Sequence, residues 1–383
     1  MYSRNTLLAM LASLVLAGCG IFSSDESEQP RELVDFESSV ELEQLWSTRV
    51  GNGQGDLFRR LAPALDGDTL YVASADGTVM AVDRETGETR WRQRTEQRIS
   101  GGVGASRGMV LFGTRDARVF ALSQEDGSRM WDTRVSSEVQ SAPRTDGRIV
   151  ALQTVDGKLI ALEAATGEQR WIHETSVPPL TLRGTSTPVI EGNLVMAGFS
   201  NGMLAAVDAG NGLLQWEQRV AVPQGRYDLE RVIDIDGDLL LNGGIVYAAS
   251  FQGNVLGLDT RNGQPVWGEE ASSYLGLATG LGNVYYVNDS SHVIALGRND
   301  VSAEWENDDL RLRQLTAPAA TGNYLAVGDF EGYVHILSQI NGTMAGRARV
   351  DRDGIRAPIV ARRGVLYVYG NSGRLRALRI DSR

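Results

Sequence analysis

Short runs of alternating apolar and polar residues, separated by glycine-containing turns, predict four β-strands in each unit of this chain. The strands expected in the unit from residue 61 to residue 94 are 61–65, 69–74, 79–83 and 88–94. The pair Asp76-Gly77 has the composition of a two-residue hairpin turn, in which glycine supplies a positive φ without a Cβ clash. The same pattern returns along the chain, so we expect an all-β protein built from repeated four-stranded sheets.

Tryptophan marks the repeat. The seven Trp residues are separated by gaps of 45, 40, 40, 45, 51 and 38 residues and are Trp46, Trp91, Trp131, Trp171, Trp216, Trp267 and Trp305. Counted with the two repeats that lack Trp, the corresponding position of the third strand is occupied by Ala81, Ala121, Ala161, Ala206, Gly257, Ala295, Ile336 and Ala377. A period of about 40 residues is typical of propeller blades. We interpret the Trp side chains as packing between neighbouring blades, not as a ligand-stacking site.

The last repeat ends before its fourth strand. The segment 41–50 (ELEQLWSTRV) resembles the missing strand, Trp included, and no first three strands precede it. We therefore predict an eight-bladed β-propeller over residues 41–383, closed by the N-terminal strand completing the last blade. Two positions depart from the repeat: Gly346 stands where Trp is expected, and Val301 stands where a turn glycine is expected.

The N-terminus resembles that of a bacterial lipoprotein. The apolar run 7–16 is too short to span a bilayer and leads into Leu16-Ala17-Gly18-Cys19, which resembles a lipobox. We expect a signal peptide at 1–18, a lipidated Cys19 and a flexible acidic tether at 19–40. An ordinary signal peptide that happens to contain Cys is the alternative. Gly20, in place of an Asp that would resemble an inner-membrane retention signal, implies the periplasmic face of the outer membrane.

Net charge, cysteine content and hydropathy limit the classes of partner that this chain can bind. The formal net charge is −11, and removing residues 1–18 with Arg4 makes it −12, which argues against nucleic acid. Cys19 is the only cysteine, so no intramolecular disulfide can form. Beyond the N-terminal run no segment is apolar over membrane length, so we expect membrane contact through the lipid anchor only.

The repeats also resemble the tryptophan-docking repeats of quinoprotein dehydrogenases, which raises a periplasmic oxidoreductase as the alternative function. Those enzymes are larger and commonly use an adjacent cysteine pair at the quinone, which this chain lacks. His173, His292 and His335 lie on different repeats and lack metal-ligand spacing. We therefore expect no catalytic residues, no cofactor and no metal site.

Two long insertions point to a binding surface instead. The spacing from Trp to the next third-strand position is ordinarily 28 to 31 residues, but it is 35 after Trp46, 35 after Trp171 and 41 after Trp216. The insertion after Trp46 contains the glycine-rich run 51–55 and is interpreted only as flexible, which leaves the other two. Both insertions precede the innermost strand of consecutive blades, so they should be neighbours on one face of the ring. The first contains Leu180, Leu182 and Arg183. These residues suit a protein-binding spot, but the leucines could equally pack onto the ring and Arg183 could pair internally with an Asp of the second insertion.

Together, the lipobox, the acidic tether, the eight repeats and the two insertions resemble the BamB family, the lipoprotein propellers of the β-barrel assembly machinery. This resemblance implies a non-enzymatic scaffold that docks on the periplasmic POTRA domains of BamA and assists outer-membrane protein insertion. The contact candidates that it implies are Leu180, Leu182, Arg183, Asp234 and Asp236. Strand pairing with nascent barrel proteins and a sugar-binding propeller are further possibilities left open by the sequence.

Overall fold

The computed structural model describes residues 29–55, 60–182 and 184–383, and its described residues form eight four-stranded antiparallel sheets. The sheets follow one another along the chain, and several of the innermost strands contact the innermost strand of the next sheet, such as Ala64–Asp66 with Gly104–Ser106 and Ala278–Gly280 with Ala319–Thr321. This arrangement is the predicted eight-bladed propeller. Seven blades consist of four consecutive strands each, and the eighth combines strands from both ends of the chain.

The outermost strand of blade 8 comes first in the chain and is β1 (Val40–Arg49). Blades 1 to 4 contain β2 (Ala64–Asp66), β3 (Thr69–Ala73), β4 (Thr78–Asp83), β5 (Thr89–Arg94), β6 (Gly104–Ser106), β7 (Met109–Gly113), β8 (Arg118–Ser123), β9 (Arg129–Arg134), β10 (Arg144–Thr145), β11 (Ile149–Thr154), β12 (Lys158–Glu163), β13 (Gln169–Glu174), β14 (Val189–Glu191), β15 (Leu194–Gly198), β16 (Met203–Asp208) and β17 (Leu214–Arg219). Blades 5 to 8 contain β18 (Leu240–Asn242), β19 (Ile245–Ala249), β20 (Gly253–Asp259), β21 (Pro265–Ala271), β22 (Ala278–Gly280), β23 (Asn283–Val287), β24 (Val293–Gly297), β25 (Ala303–Asn307), β26 (Ala319–Thr321), β27 (Tyr324–Gly328), β28 (Tyr333–Ser338), β29 (Met344–Arg349), β30 (Val360–Arg362), β31 (Val365–Tyr369) and β32 (Arg374–Ser382).

Ring closure follows the prediction. β1 pairs antiparallel with β32, and Trp46 lies opposite Ala377. The backbone N–H of Val50 donates to the carbonyl of Gly373 at 2.7 Å, which continues the pairing beyond the strand. The first strand in the chain therefore joins the last, and no blade is left with three strands.

The Trp side chains lock each blade to the next. Trp131 lies opposite Ala121 in its own blade, and its ring packs on Gly167 of the following blade. A Cβ added to Gly167 would lie 2.6 Å from Trp131 Cε3, so only glycine leaves room for the ring. The indole N–H of Trp131 donates to the carbonyl of Ala164 at 2.8 Å. The other indoles make the same bond to the next blade, at the carbonyls of Arg84, Gln124, Ala209, Thr260, Gly297 and Gln339.

The two departures from the repeat have different structural consequences. Val301 keeps the turn conformation of the glycine it replaces, with φ of 58°, a region that β-branched residues rarely occupy. Gly346 lies opposite Ile336, as its place in the repeat predicts. A Cβ on Gly346 would lie 2.7 Å from Val40 Cγ2, so the start of β1 packs closely against the position that lacks Trp.

The two faces of the ring differ. Because each blade has four antiparallel strands, the connection from its outermost strand to the next blade lies at the same end as its middle hairpin turn. We call this end the loop face and the opposite end the turn face. The two insertions, 175–188 and 220–239, both belong to the loop face, as predicted.

None of the helices in the described part of the chain has the length and apolarity needed to cross a bilayer.

Candidate partner-binding site

The two long loops contact each other, as their place between consecutive blades predicts. We call 175–188 the first long loop and 220–239 the second long loop. The backbone N–H of Leu182 in the first donates to Asp234 Oδ2 in the second. Gly184 lies so close to the second loop that an added Cβ would be 2.7 Å from Asp236 Oδ2. The loops therefore form one continuous surface across blades 3 to 5.

The leucines of the first long loop differ in exposure. Leu180 is 39% exposed, whereas Leu182 is half-buried. Val177 is also exposed, and its side chain covers Gly157 in the middle turn of blade 3. Leu180 is therefore available to a partner, and Leu182 is partly occupied in holding the loop to the ring.

The structure brings Asp234 and Asp236 together but buries both. Asp234 is fully buried, Asp236 is 6% exposed, and their Oδ1 atoms have no hydrogen-bond partner among the described residues. Burial, with a smaller contribution from the charge of Asp236, raises the pKa of Asp234 to about 8. Burial likewise raises the pKa of Asp236 to about 6, and the nearby Arg60 opposes this shift. The two carboxyl groups therefore do not lie on the outer surface of the long loops, and Asp236 borders a central cavity instead.

The raised pKa of Asp234 has a consequence for stability. Between pH 4 and pH 8 the Asp234 carboxyl binds more protons in the folded chain than in the unfolded chain, where its pKa has the ordinary value of 3.8. The contribution of Asp234 to stability then falls as the pH rises through this window. Asp234→Asn keeps an oxygen for the Leu182 N–H but cannot ionise. We expect it to flatten the pH dependence and to raise the free energy of unfolding at pH 8 by at least about 1 kcal/mol.

Urea titrations at pH 5, 6.5 and 8 measure this effect. Asp238→Asn, at an exposed position of the same loop, is the matched control. An Asp234→Asn protein that keeps the pH dependence of the parent would contradict the assignment.

The most exposed apolar side chains of the second long loop were not among the contact candidates. A short 3-10 helix, Asp228–Arg231, presents Tyr227 at 71% and Leu229 at 73% exposure. Glu230 Oε2 accepts from the backbone N–H groups of Arg226 and Tyr227, at 2.7 and 3.2 Å. Gln252 of blade 5 donates to the carbonyl of Leu229 at 3.4 Å. The insertion length marked this segment, but no periodicity could show which of its side chains point outward.

A central cavity of about 290 Å³ opens beside the long loops. Charged residues of both signs line it, namely Arg60, Arg144, Arg356, Glu138, Asp236 and Asp238. Within the described ranges, no group of three or more His, Cys, Asp or Glu residues is placed to hold a metal ion. Apolar residues such as Leu275, Leu277 and Ile359 line it as well, so the cavity is mixed in both polarity and charge.

Two predicted residues, Cys19 and Arg183, lie outside the described residues. The expected lipidation of Cys19 and the expected partner contact of Arg183 therefore stay predictions. The same holds for the signal peptide at 1–18 and for the domain boundaries.

Comparison with known proteins gives consistent matches. A family model described as "Outer membrane protein assembly factor BamB" matches residues 27–93 and 75–307. Proteins of that name from Pseudomonas aeruginosa and Marinobacter adhaerens are each 52% identical to this chain. Both alignments cover 97% of the chain, with 98% and 95% of the relative.

Solved structures agree with the sequence matches. The crystal structure of BamB from Moraxella catarrhalis matches with a TM-score of 0.81 and 28% identity, over 88% of this chain and all of that one. A quinohemoprotein alcohol dehydrogenase from Comamonas testosteroni matches with a TM-score of 0.71 but 14% identity, over 91% of this chain and 78% of that one, and so shares only the fold. The chain belongs to the BamB family of outer membrane protein assembly factors.

Proposed function

We propose that this protein is a non-enzymatic scaffold lipoprotein that docks on the POTRA domains of BamA and assists folding and insertion of outer-membrane proteins. Family membership supports the role in assembly. The observation that carries the docking surface is a group of exposed apolar side chains on the long loops. They are Val177, Leu180, Val222, Tyr227 and Leu229.

The residues of this surface have different tasks in the proposal. Leu180, Tyr227 and Leu229 contact the partner, since they are exposed and apolar beside charged neighbours. Asp234 and Asp236 are buried, so they act indirectly: Asp234 holds the first long loop by accepting from the Leu182 N–H, and Asp236 packs closely against Gly184. Arg183 sets the orientation of the partner, and the lipid on Cys19 keeps the propeller at the periplasmic face of the outer membrane.

Truncating the side chains of this surface should weaken docking without unfolding the ring. We expect a variant carrying Leu180→Ala, Leu182→Ala and Arg183→Ala to bind the POTRA domains of BamA at least about 30-fold more weakly, because truncating an interface anchor commonly costs 2 kcal/mol or more. Tyr227→Ala with Leu229→Ala should weaken binding by at least tenfold. Titration calorimetry with purified POTRA domains measures both.

The matched control is Leu213→Ala with Ile340→Ala, which removes two equally exposed apolar side chains from the turn face. Its affinity should equal that of the parent, and all variants should keep the parental melting temperature. If the parent itself does not bind the POTRA domains, the docking proposal is wrong. If the turn-face control loses as much affinity as the loop variants, the surface has been assigned to the wrong face.

A further inference from the structure

The N-terminal residues that precede β1 lie along the outside of blade 7. We call residues 31–39 the strap. The N–H of Ser39 donates to the carbonyl of Ala345 at 2.9 Å, near the start of β29. At the other end, the N–H of Arg31 donates to the carbonyl of Arg311 at 3.0 Å, in the connection between blades 6 and 7. Between these points Leu33 packs against a cluster of buried apolar residues.

The direction of the strap follows from the topology. β1 is an outermost strand and leads into the connection to blade 1, so it runs from the turn face to the loop face and begins at the turn face. A chain that left the propeller directly at Val40 would leave from the turn face. The strap instead passes back along β29 and ends at Arg31, beside a loop-face connection. It therefore moves the exit of the N-terminal chain from one face of the ring to the other.

Buried polar residues bind the loop-face end of the strap. The Arg313 guanidinium is almost fully buried and donates to the carbonyl of Arg31 at 3.0 Å. The fully buried Asp329 accepts from Arg313 Nε at 2.9 Å and from His335 Nε2 at 2.9 Å. The Arg31 side chain adds an ion pair with Asp308 at 2.8 Å. A buried, fully oriented guanidinium aimed at a strap carbonyl indicates a specific contact and not a chance surface encounter.

The middle of the strap is held by Arg347 on β29. Its guanidinium lies 5.4 Å from the centre of the Phe36 ring and donates to the carbonyl of Val34 at 3.2 Å. Gly346 beside it leaves the room that Val40 fills. The missing Trp of blade 7 is thus the place where the N-terminal segment crosses onto this blade.

We propose that the strap fixes the site at which the lipid tether leaves the propeller, on the loop face beside blade 7. The proposal rests on the proposed lipidation of Cys19. Only residues 20–30 then connect lipid and propeller, and eleven residue steps from Cys19 to Pro30 reach at most about 40 Å. The face that carries the long loops is the face held towards the membrane, with the loops two blades away from the tether.

Thiol labelling tests whether Arg347 holds the strap against blade 7. The full chain with Leu33→Cys in isolated outer membranes carries one accessible thiol if Cys19 is lipidated, because Cys19 is the only native cysteine. We expect Arg347→Met to accelerate maleimide labelling of this thiol about fivefold, in line with the loss of a cation–π contact and a hydrogen bond. Arg349→Met is the matched control, since Arg349 contacts Tyr333 and Glu331 on the same blade. Equal labelling rates in the Arg347→Met and Arg349→Met variants would show that Arg347 does not hold the strap on blade 7.

Energy transfer to the membrane tests the exit face. Donor dyes are placed on Arg352→Cys, at the loop face, or on Ile340→Cys, at the turn face of blade 7. The lipidated chain is bound to phosphatidylethanolamine–phosphatidylglycerol vesicles with acceptor-labelled headgroups. Transfer should be stronger from position 352 than from position 340. Replacing residues 31–36 by glycine and serine at equal length should reverse this order, whereas the same replacement at 24–29 should not.

The outcomes separate this proposal from the one it rests on. Labelling of the parent chain, which lacks the Leu33→Cys thiol, would show that Cys19 carries no lipid and would refute the tether itself. If Cys19 is lipidated but energy transfer is equal from positions 352 and 340, the proposed exit face is wrong. The same holds if replacing residues 31–36 leaves the order of the two positions unchanged. Either result would refute the strap proposal alone.

Discussion

Trp131→Ala should lower the free energy of unfolding by about 3–5 kcal/mol, the range for truncating a buried aromatic side chain. Trp131 is 7% exposed and packs on Gly167, whose missing side chain makes the space for the ring. The truncation removes this contact between blades 3 and 2 and leaves a cavity that the rigid turn at Gly167 cannot close. It also leaves the carbonyl of Ala164 without the indole N–H at 2.8 Å.

Urea denaturation followed by circular dichroism measures this loss. Met130→Ala is the matched control, because Met130 is the neighbour of Trp131 on β9 but is exposed. Its effect should stay within about 0.5 kcal/mol. Trp131→Phe should fall between the two, since the ring is kept and the hydrogen bond is lost. A Trp131→Ala protein as stable as the Met130→Ala protein would contradict the role of Trp as the lock between blades.

The regular part of this fold could be predicted because every blade repeats the same contacts. The recurring Trp, the recurring turn glycine and a closing strand at 41–50 are all properties of the repeat. The structure adds their contacts: the small third-strand residue lies opposite Trp, and the glycine lies under the Trp ring of the preceding blade. The spacing after Trp171 and Trp216 also predicted two neighbouring loops on one face. Strand ends were less accurate: the expected first strand 61–65 is β2 at 64–66, because residues 61–63 belong to the connection along the central cavity.

The irregular part could not be predicted in the same way. Asp234 and Asp236 were contact candidates in a polar, loop-like segment, but the structure buries them beneath the first long loop. Tyr227 and Leu229 stand in the same segment and are exposed. The direction of a side chain in a loop depends on tertiary contacts such as Leu182 with Asp234, which no period in the sequence encodes.

The strap shows the same limit. Residues 31–39 have the acidic, polar composition expected of a tether, and the residues that hold them lie about 300 positions away in the sequence, at Arg313 and Arg347. The absence of Trp at 346 was visible as a broken repeat. The structure explains this departure, because Val40 packs against Gly346 in the space that a larger side chain would fill.

Arg313→Met should also lower the free energy of unfolding by about 3–5 kcal/mol, because it leaves Asp329 buried without its cation. Asp329 is fully buried, and burial alone opposes its ionisation. The hydrogen bond and the charge of His335 outweigh that effect, with smaller contributions from the Tyr333 backbone N–H and the charge of Arg313, and hold the pKa of Asp329 below its ordinary value of 3.8. Arg313 also pairs with Glu331, but the Glu331 carboxylate is exposed to solvent, so we expect this pair to contribute less than the buried one.

The sign of the pH dependence distinguishes this mechanism from a simple packing defect. A carboxyl group with a lowered pKa stabilises the fold above its ordinary pKa and loses that contribution as the pH falls through the lowered value. The difference between parent and Arg313→Met should therefore be full at pH 6 and should shrink towards pH 3, where Asp329 becomes protonated. Adding Asp329→Asn to Arg313→Met should recover part of the loss at pH 6, since no buried charge is then left unpaired.

Urea titrations at pH 3 and pH 6 measure these differences in the free energy of unfolding, with Arg349→Met on the same blade as the control. A loss that is equal at pH 3 and pH 6 and that Asp329→Asn does not reduce would assign the effect to packing instead of charge.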